Sequence, residues 1–187
     1  MTPIPLEIVY RHIHLSSKDR QMLFGDFPWT KQSSTKHQGQ FFSGDCVLVK
    51  GGKGKELFVP VLGPERQKTQ VELTATDAMA LGIKAPSRLS GDMGRAGVVA
   101  LEGAAGSIKK LACAILPIRH LHLSEKRAKQ FGFHHSDVIS LVTTSSPSRV
   151  IPYVVVRVHP SFHPVLHLTI DEAILYGLHS SDTFQPL

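Results

Sequence analysis

The six residues Arg11-His12-Ile13-His14-Leu15-Ser16 return as Arg119-His120-Leu121-His122-Leu123-Ser124, identical apart from one Ile/Leu exchange. Internal repetition on this scale marks a chain assembled from related units. Each copy runs into a short helical pattern that stops at Phe-Gly, Phe24-Gly25 in the first and Phe131-Gly132 in the second. Ser16 and Ser124 stand where a hydroxyl accepts from the first unpaired helix amides. Gly25 and Gly132 stand where a positive φ closes the last turn. A second pair of blocks repeats as well. Val71-Glu72-Leu73-Thr74-Ala75-Thr76-Asp77-Ala78-Met79-Ala80-Leu81-Gly82 aligns with Leu166-His167-Leu168-Thr169-Ile170-Asp171-Glu172-Ala173-Ile174-Leu175-Tyr176-Gly177. Thr169-x-x-Glu172 is a capping box and Thr74-x-x-Asp77 its shorter analogue, so each block reads as a strand entering a two-turn helix closed by glycine. In this alignment Glu72 faces His167. The chain therefore comprises two related halves, each with an HxH strand and a later strand carrying a carboxylate or an imidazole.

Working outward, short alternating or apolar runs at 45–49, 57–62, 97–101, 108–116, 138–143 and 151–158 read as strands, punctuated by Gly51-Gly52, by 103–106 and by Ser145-Ser146-Pro147. The reading is mainly β, with small capping helices. Residues 26–44 read as an irregular excursion, 85–97 as a loop carrying Ser90-Gly91-Asp92, and 180–187 as a frayed end. The 187 residues are too few for a (β/α)₈ barrel, which takes about 250. With 42% hydrophobic and 19% charged residues, the composition excludes wholesale disorder. No apolar run approaches the roughly 20 residues that span a bilayer, and the first residues lack the pattern of a signal peptide. Two cysteines, Cys46 and Cys113, do not make a disulfide framework, which places the chain in a reducing cytoplasm. The net charge of +6 suits an anionic partner. Because the basic residues are scattered and no aromatic-rich strand accompanies them, the expected partners exclude nucleic acid and membrane.

Eleven histidines are the loud feature of the composition. On a strand, side chains alternate, so His12 and His14 share one face, as do His120 and His122. Two imidazoles on one face can share a metal, or can simply be polar residues on an exposed strand. The duplication decides for metal, since it supplies matching third ligands: Glu72 for a His₂Glu set and His167 for a His₃ set, both of the open, catalytic kind. The ligand chemistry suits zinc and admits other divalent metals. His37, His134, His135, His159, His163 and His179 read as solvated loop residues. Arg66, six residues before Glu72, either forks onto a phosphate near the metal or pairs at the surface with Glu65 or Asp77. Residues 51–55 read as a hairpin turn in preference to an anion cradle. Cys46 and Cys113 read as buried thiols.

Taken together, RHIHLS, GPERQKTQVELTATDAMALGI, RLSGD, the second RHLHLS and LHLTIDEA resemble the PduL-type phosphotransacylases, the phosphate propanoyltransferases associated with bacterial microcompartments and propanediol utilization. The resemblance covers nearly the whole chain. It implies two duplicated β-barrel domains capped by short helices, with the active site between them: a central barrel at 11–117, and a second at 118–187 completed by the N-terminal strand at 1–10. It implies exchange of an acyl group between coenzyme A and phosphate at two zinc ions. One zinc falls on His12, His14 and Glu72, and the other on His120, His122 and His167. Phosphate falls on Arg66, and coenzyme A contacts on Leu62 and His167. A homodimer is part of the same expectation. The chain departs from the family at Val9, Tyr10, Pro60 and Ile174, positions associated with the coenzyme A side, and it shows no encapsulation peptide. Two other expectations compete: a zinc-dependent hydrolase of phosphate esters or thioesters, and a catalytically idle paralogue that serves in binding or assembly. A cupin fits less well, because the Glu expected shortly after HxH is missing.

Overall fold

A computed structural model describes residues 3–34 and 39–187; His37 lies outside them. In chain order the elements are β1 (Ile4–Val9), β2 (His12–His14), α1 (Ser17–Phe24), β3 (Ser33–Ser34), β4 (Phe41–Lys50), β5 (Glu56–Gly63), β6 (Gln70–Glu72), α2 (Ala75–Leu81), β7 (Ser87–Arg88), β8 (Gly97–Glu102), β9 (Ser107–Pro117), β10 (His120–Leu123), α3 (Glu125–Phe131), β11 (Val138–Thr143), β12 (Val150–Val158), β13 (Val165–Thr169), α4 (Ile170–Tyr176) and β14 (Thr183–Pro186). The chain divides into two compact units. One is Arg11–Pro117; the other joins the chain up to Tyr10 with Ile118–Leu187.

Within Arg11–Pro117, the order β4-β5-β2-β6-β9 closes through β8, which pairs with both β4 and β9. The inward residues of these strands, among them Ile13, Val47, Val59, Val71 and Val99, form one apolar cluster with Leu23 and Leu81 from the helices. Gly51 ends β4 against the last turn of α2, where a Cβ would meet the Leu81 carbonyl oxygen at 2.0 Å. This close approach explains a glycine there and makes 51–55 the β4–β5 connection, with a single 3₁₀ turn at Gly52–Gly54.

The second unit closes as β1-β13-β10-β12-β11-β14. Leu6, Leu121, Val156, Leu166 and Phe184 point into its core. β1 pairs in parallel with β13 and antiparallel with β14, so both ends of the chain enter one barrel wall. Residues 180–187 are thus not frayed: β14 is a wall strand, and Phe184 is fully buried. Thr-Phe-Gln-Pro offers only one apolar side chain as a signal, and its pairing comes from β1 and β11, both distant in sequence. The expected excursion at 26–44 also ends early, because β4 begins at Phe41 and continues the ladder opposite β5.

The helices end as the repeats predict. Ser16, Thr74, Ser124 and Thr169 accept from the amide three residues on, and Thr74-Asp77 and Thr169-Glu172 form complete capping boxes. Each such cap contributes about 1 kcal/mol. The consequence for the site is register: a helix capped at Thr74 or Thr169 fixes the end of the segment before it, and Glu72 and His167 each lie two residues before that cap. Arg11 in one half and Arg119 in the other clamp the same helices through Asp77 and Glu172.

Candidate metal and phosphate site

In the Arg11–Pro117 barrel, β2 and β6 are antiparallel with His12 opposite Glu72 and His14 opposite Gln70. Ile13 and Val71 point into the core, so the polar residues all project from the other face of the wall, yet His12, His14, Gln70 and Glu72 are buried. The candidate ligand atoms of His12, His14 and Glu72 lie within 4.8 Å of one another. His12 Nε2 is 3.6 Å from Glu72 Oε2. His14 Nδ1 donates to the Leu62 carbonyl at 2.9 Å, which leaves Nε2 as the ring's lone-pair nitrogen. Burial, then His12, then the Arg66 guanidinium hold the His14 pKa down to about 2, against the weaker pull of the Leu62 carbonyl. His14 is therefore neutral, as a metal ligand must be.

In the other barrel, β10 and β13 repeat the arrangement, with His120 opposite His167. His120, His122 and His167 bring their ligand atoms within the same 4.8 Å limit, and all three are buried. His120 Nδ1 donates to the Ile118 carbonyl at 2.8 Å, again exposing Nε2. Phe162 stacks on His122, with ring centroids 3.8 Å apart and planes 12° off parallel. The donor types, their spacing and these orienting carbonyl bonds fit a zinc-class divalent ion in each set.

Arg66 lies beside the first set. Its amide donates to the Leu15 carbonyl, and its guanidinium Nη1 donates to Ser90 Oγ at 3.0 Å. Ser90 Oγ in turn accepts from Gln70 Nε2 at 2.9 Å, and the same amide nitrogen donates to Glu72 Oε1. Gln70 Oε1 accepts from the Gly91 amide at 2.8 Å. One connected path thus joins the candidate phosphate residue to the candidate metal carboxylate. Nearby, Glu65 lies 3.8 Å from Arg20 and Asp77 2.7 Å from Arg11.

The structure brings the three ligand candidates of each barrel together; the residues that support them had no role in the sequence reading. Gln70 had a signal, since it sits two residues before Glu72 on the same strand face. Ser90 lay within a recognised motif but had no assigned role, and Phe162 had no signal at all. Leu62 is buried, and its placed contact is its carbonyl on His14. Of the departing positions, Tyr10 and Ile174 are exposed and Val9 and Pro60 half-buried. His134, His135, His159, His163 and His179 are exposed. Cys113 is buried as expected, but Cys46 is exposed: it alternates along β4 with Val47 and Val49, which are buried in the core, so its side chain lies on the outer face with that of Phe42. Among the described residues, no helix is long and apolar enough to cross a membrane.

The phosphate propanoyltransferase family profile matches residues 5–179. A phosphate propanoyltransferase of Thermotoga maritima is 36% identical over 175 residues, 92% of this chain and 83% of that protein. Those of Citrobacter koseri and Rhodobacter capsulatus are 35% and 34% identical over 186 and 177 residues, covering 99% and 94% of this chain and 89% and 82% of the relatives. The chain belongs to the phosphate propanoyltransferase family, which supports a phosphate acyltransferase activity.

Proposed function

We propose that this protein exchanges a short acyl group between coenzyme A and inorganic phosphate. His12, His14 and Glu72 would hold one zinc ion and His120, His122 and His167 a second, with Arg66 as the phosphate-binding residue. The observation that supports this reading is the path from Arg66 through Ser90 and Gln70 to Glu72, which joins a guanidinium to the carboxylate of the His12, His14 and Glu72 group.

In the reaction, a phosphate oxygen attacks the thioester carbonyl carbon, the C–S bond breaks, and the sulfur leaves as thiolate to take up a proton as free coenzyme A. Divalent metal supplies Lewis-acid polarisation and a template for the reacting anions. The chain's own residues do the positioning. Arg66 forks onto phosphate oxygens and is held at the right angle by Ser90. His14, kept neutral by burial, stays available as a ligand. No protein nucleophile is needed, because holding phosphate against the carbonyl converts an encounter between two molecules into a first-order step.

The test is coenzyme A release from propanoyl-CoA at varied phosphate. Arg66→Ala is expected to raise the KM for phosphate by tenfold or more while the KM for propanoyl-CoA moves little. An unchanged phosphate KM would remove Arg66 from that role, and release that ignores phosphate would mean hydrolysis.

A further inference from the structure

The register of the second barrel brings a fourth potential ligand to the His₃ set. β1 pairs in parallel with β13 so that Glu7 is the partner of His167, and His167 is in turn the partner of His120 on β10. Paired residues in a sheet project to the same side. Leu6, Leu166 and Leu121 all point into the core, so Glu7, His167 and His120 form a row on the opposite face. Glu7 Oε2 lies 3.8 Å from His167 Nε2. That is longer than a hydrogen bond and close to the 3.6 Å between His12 Nε2 and Glu72 Oε2 in the other set. Two donors of one tetrahedral zinc stand roughly 3.4 Å apart. Both pairs are therefore spaced like co-ligands, within a small side-chain shift.

The comparison between the barrels sharpens this. In Arg11–Pro117 the carboxylate, Glu72, sits on the strand beside HxH, and its parallel neighbour on β9 is the apolar Ile115. In the other barrel that strand carries His167, and its parallel neighbour on β1 carries Glu7. Each barrel has one carboxylate in the row, one strand apart. A buried His₃ centre with a divalent ion would hold a formal charge of +2, whereas Glu7 brings it to +1, the charge of the His₂Glu centre; a smaller buried charge costs less desolvation.

We propose that Glu7 is a fourth protein ligand of the metal at His120, His122 and His167. The centre is then His₃Glu and coordinatively closed, and open coordination belongs to the His12, His14 and Glu72 centre. The proposal rests on the metal reading of the His₃ set. It is tested by zinc competition against a chromogenic chelator on the full chain, comparing wild type with Glu7→Gln, Glu7→Ala and His167→Ala, together with urea unfolding of each chelator-treated protein. The expected result is two zinc ions in the wild type. Both Glu7 variants should weaken one of them by about tenfold or more, leave the other unchanged, and unfold at the wild-type urea midpoint when metal-free. The cobalt-loaded wild type and Glu7→Gln should also differ in their visible absorption. If both zinc affinities stay within twofold in the Glu7 variants while His167→Ala removes one zinc, Glu7 is not a ligand and the His₃ reading stands. If His167→Ala leaves the zinc count unchanged, the His₃ reading fails and the proposal with it.

Discussion

Gln70 is the side chain on which the candidate ligand set of His12, His14 and Glu72 converges with Arg66. It is 2% exposed, and its amide nitrogen serves Glu72 and Ser90 while its carbonyl serves Gly91. Gln70→Ala removes all three bonds. The bond to the Glu72 carboxylate is charge-assisted and contributes about 1.5–3 kcal/mol, whereas the two neutral bonds contribute about 1 kcal/mol each. Ser90 is half-buried and Gly91 exposed, so water takes over most of what those two lose, but Glu72 is buried and has no such replacement. The expected destabilisation of the metal-free protein is therefore about 2–3 kcal/mol, read from urea unfolding at pH 7. Because the same amide holds Oε1 of Glu72 while Oε2 faces His12, zinc affinity at this set is expected to fall about 10- to 100-fold. A loss of stability below about 0.5 kcal/mol, with zinc affinity within twofold of wild type, would refute the reasoning.

Three further outcomes follow from single residues. The folded-state pKa of His14 is lowered to about 2 from its ordinary 6.5, so below pH 6.5 the unfolded chain binds a proton that the folded chain does not; metal-free stability should drop by up to about 1.4 kcal/mol per pH unit as the pH falls below that value, and His14→Gln should flatten the slope. Burial, reinforced by the charge of Asp19, pushes the Cys113 thiol up to about 12, so a thiol reagent at pH 8 should modify Cys46 in the native protein and Cys113 only after unfolding. Phe184→Ala should cost about 3–5 kcal/mol in a thermal or urea melt if β14 closes the barrel; a cost near zero would mean a loose C-terminus.

The parts of the molecule that were legible in the sequence are those written locally. HxH alternation fixed which histidines share a face, and the Thr-x-x-Asp and Thr-x-x-Glu boxes fixed the helix starts and hence the positions of Glu72 and His167. What escaped was cross-strand or between distant segments. Ser90 meets Gln70 across twenty residues of chain, and Glu7 meets His167 only because β1 inserts beside β13. Phe184 carries no pattern of its own, and the strands that pair with β14, β1 and β11, are distant from it in sequence. Cys46 sits in an apolar run that hides which way it points: Val47 and Val49 face the core, and alternation along β4 turns Cys46 outward.

The most direct test of the central claim is to count products. Zinc-replete protein with propanoyl-CoA and phosphate is predicted to form propanoyl phosphate, trapped as its hydroxamate, in one-to-one ratio with released coenzyme A, and Glu72→Ala or His167→Ala should lose both products together. Coenzyme A release without acyl phosphate, or equal yields in those variants, would contradict the account.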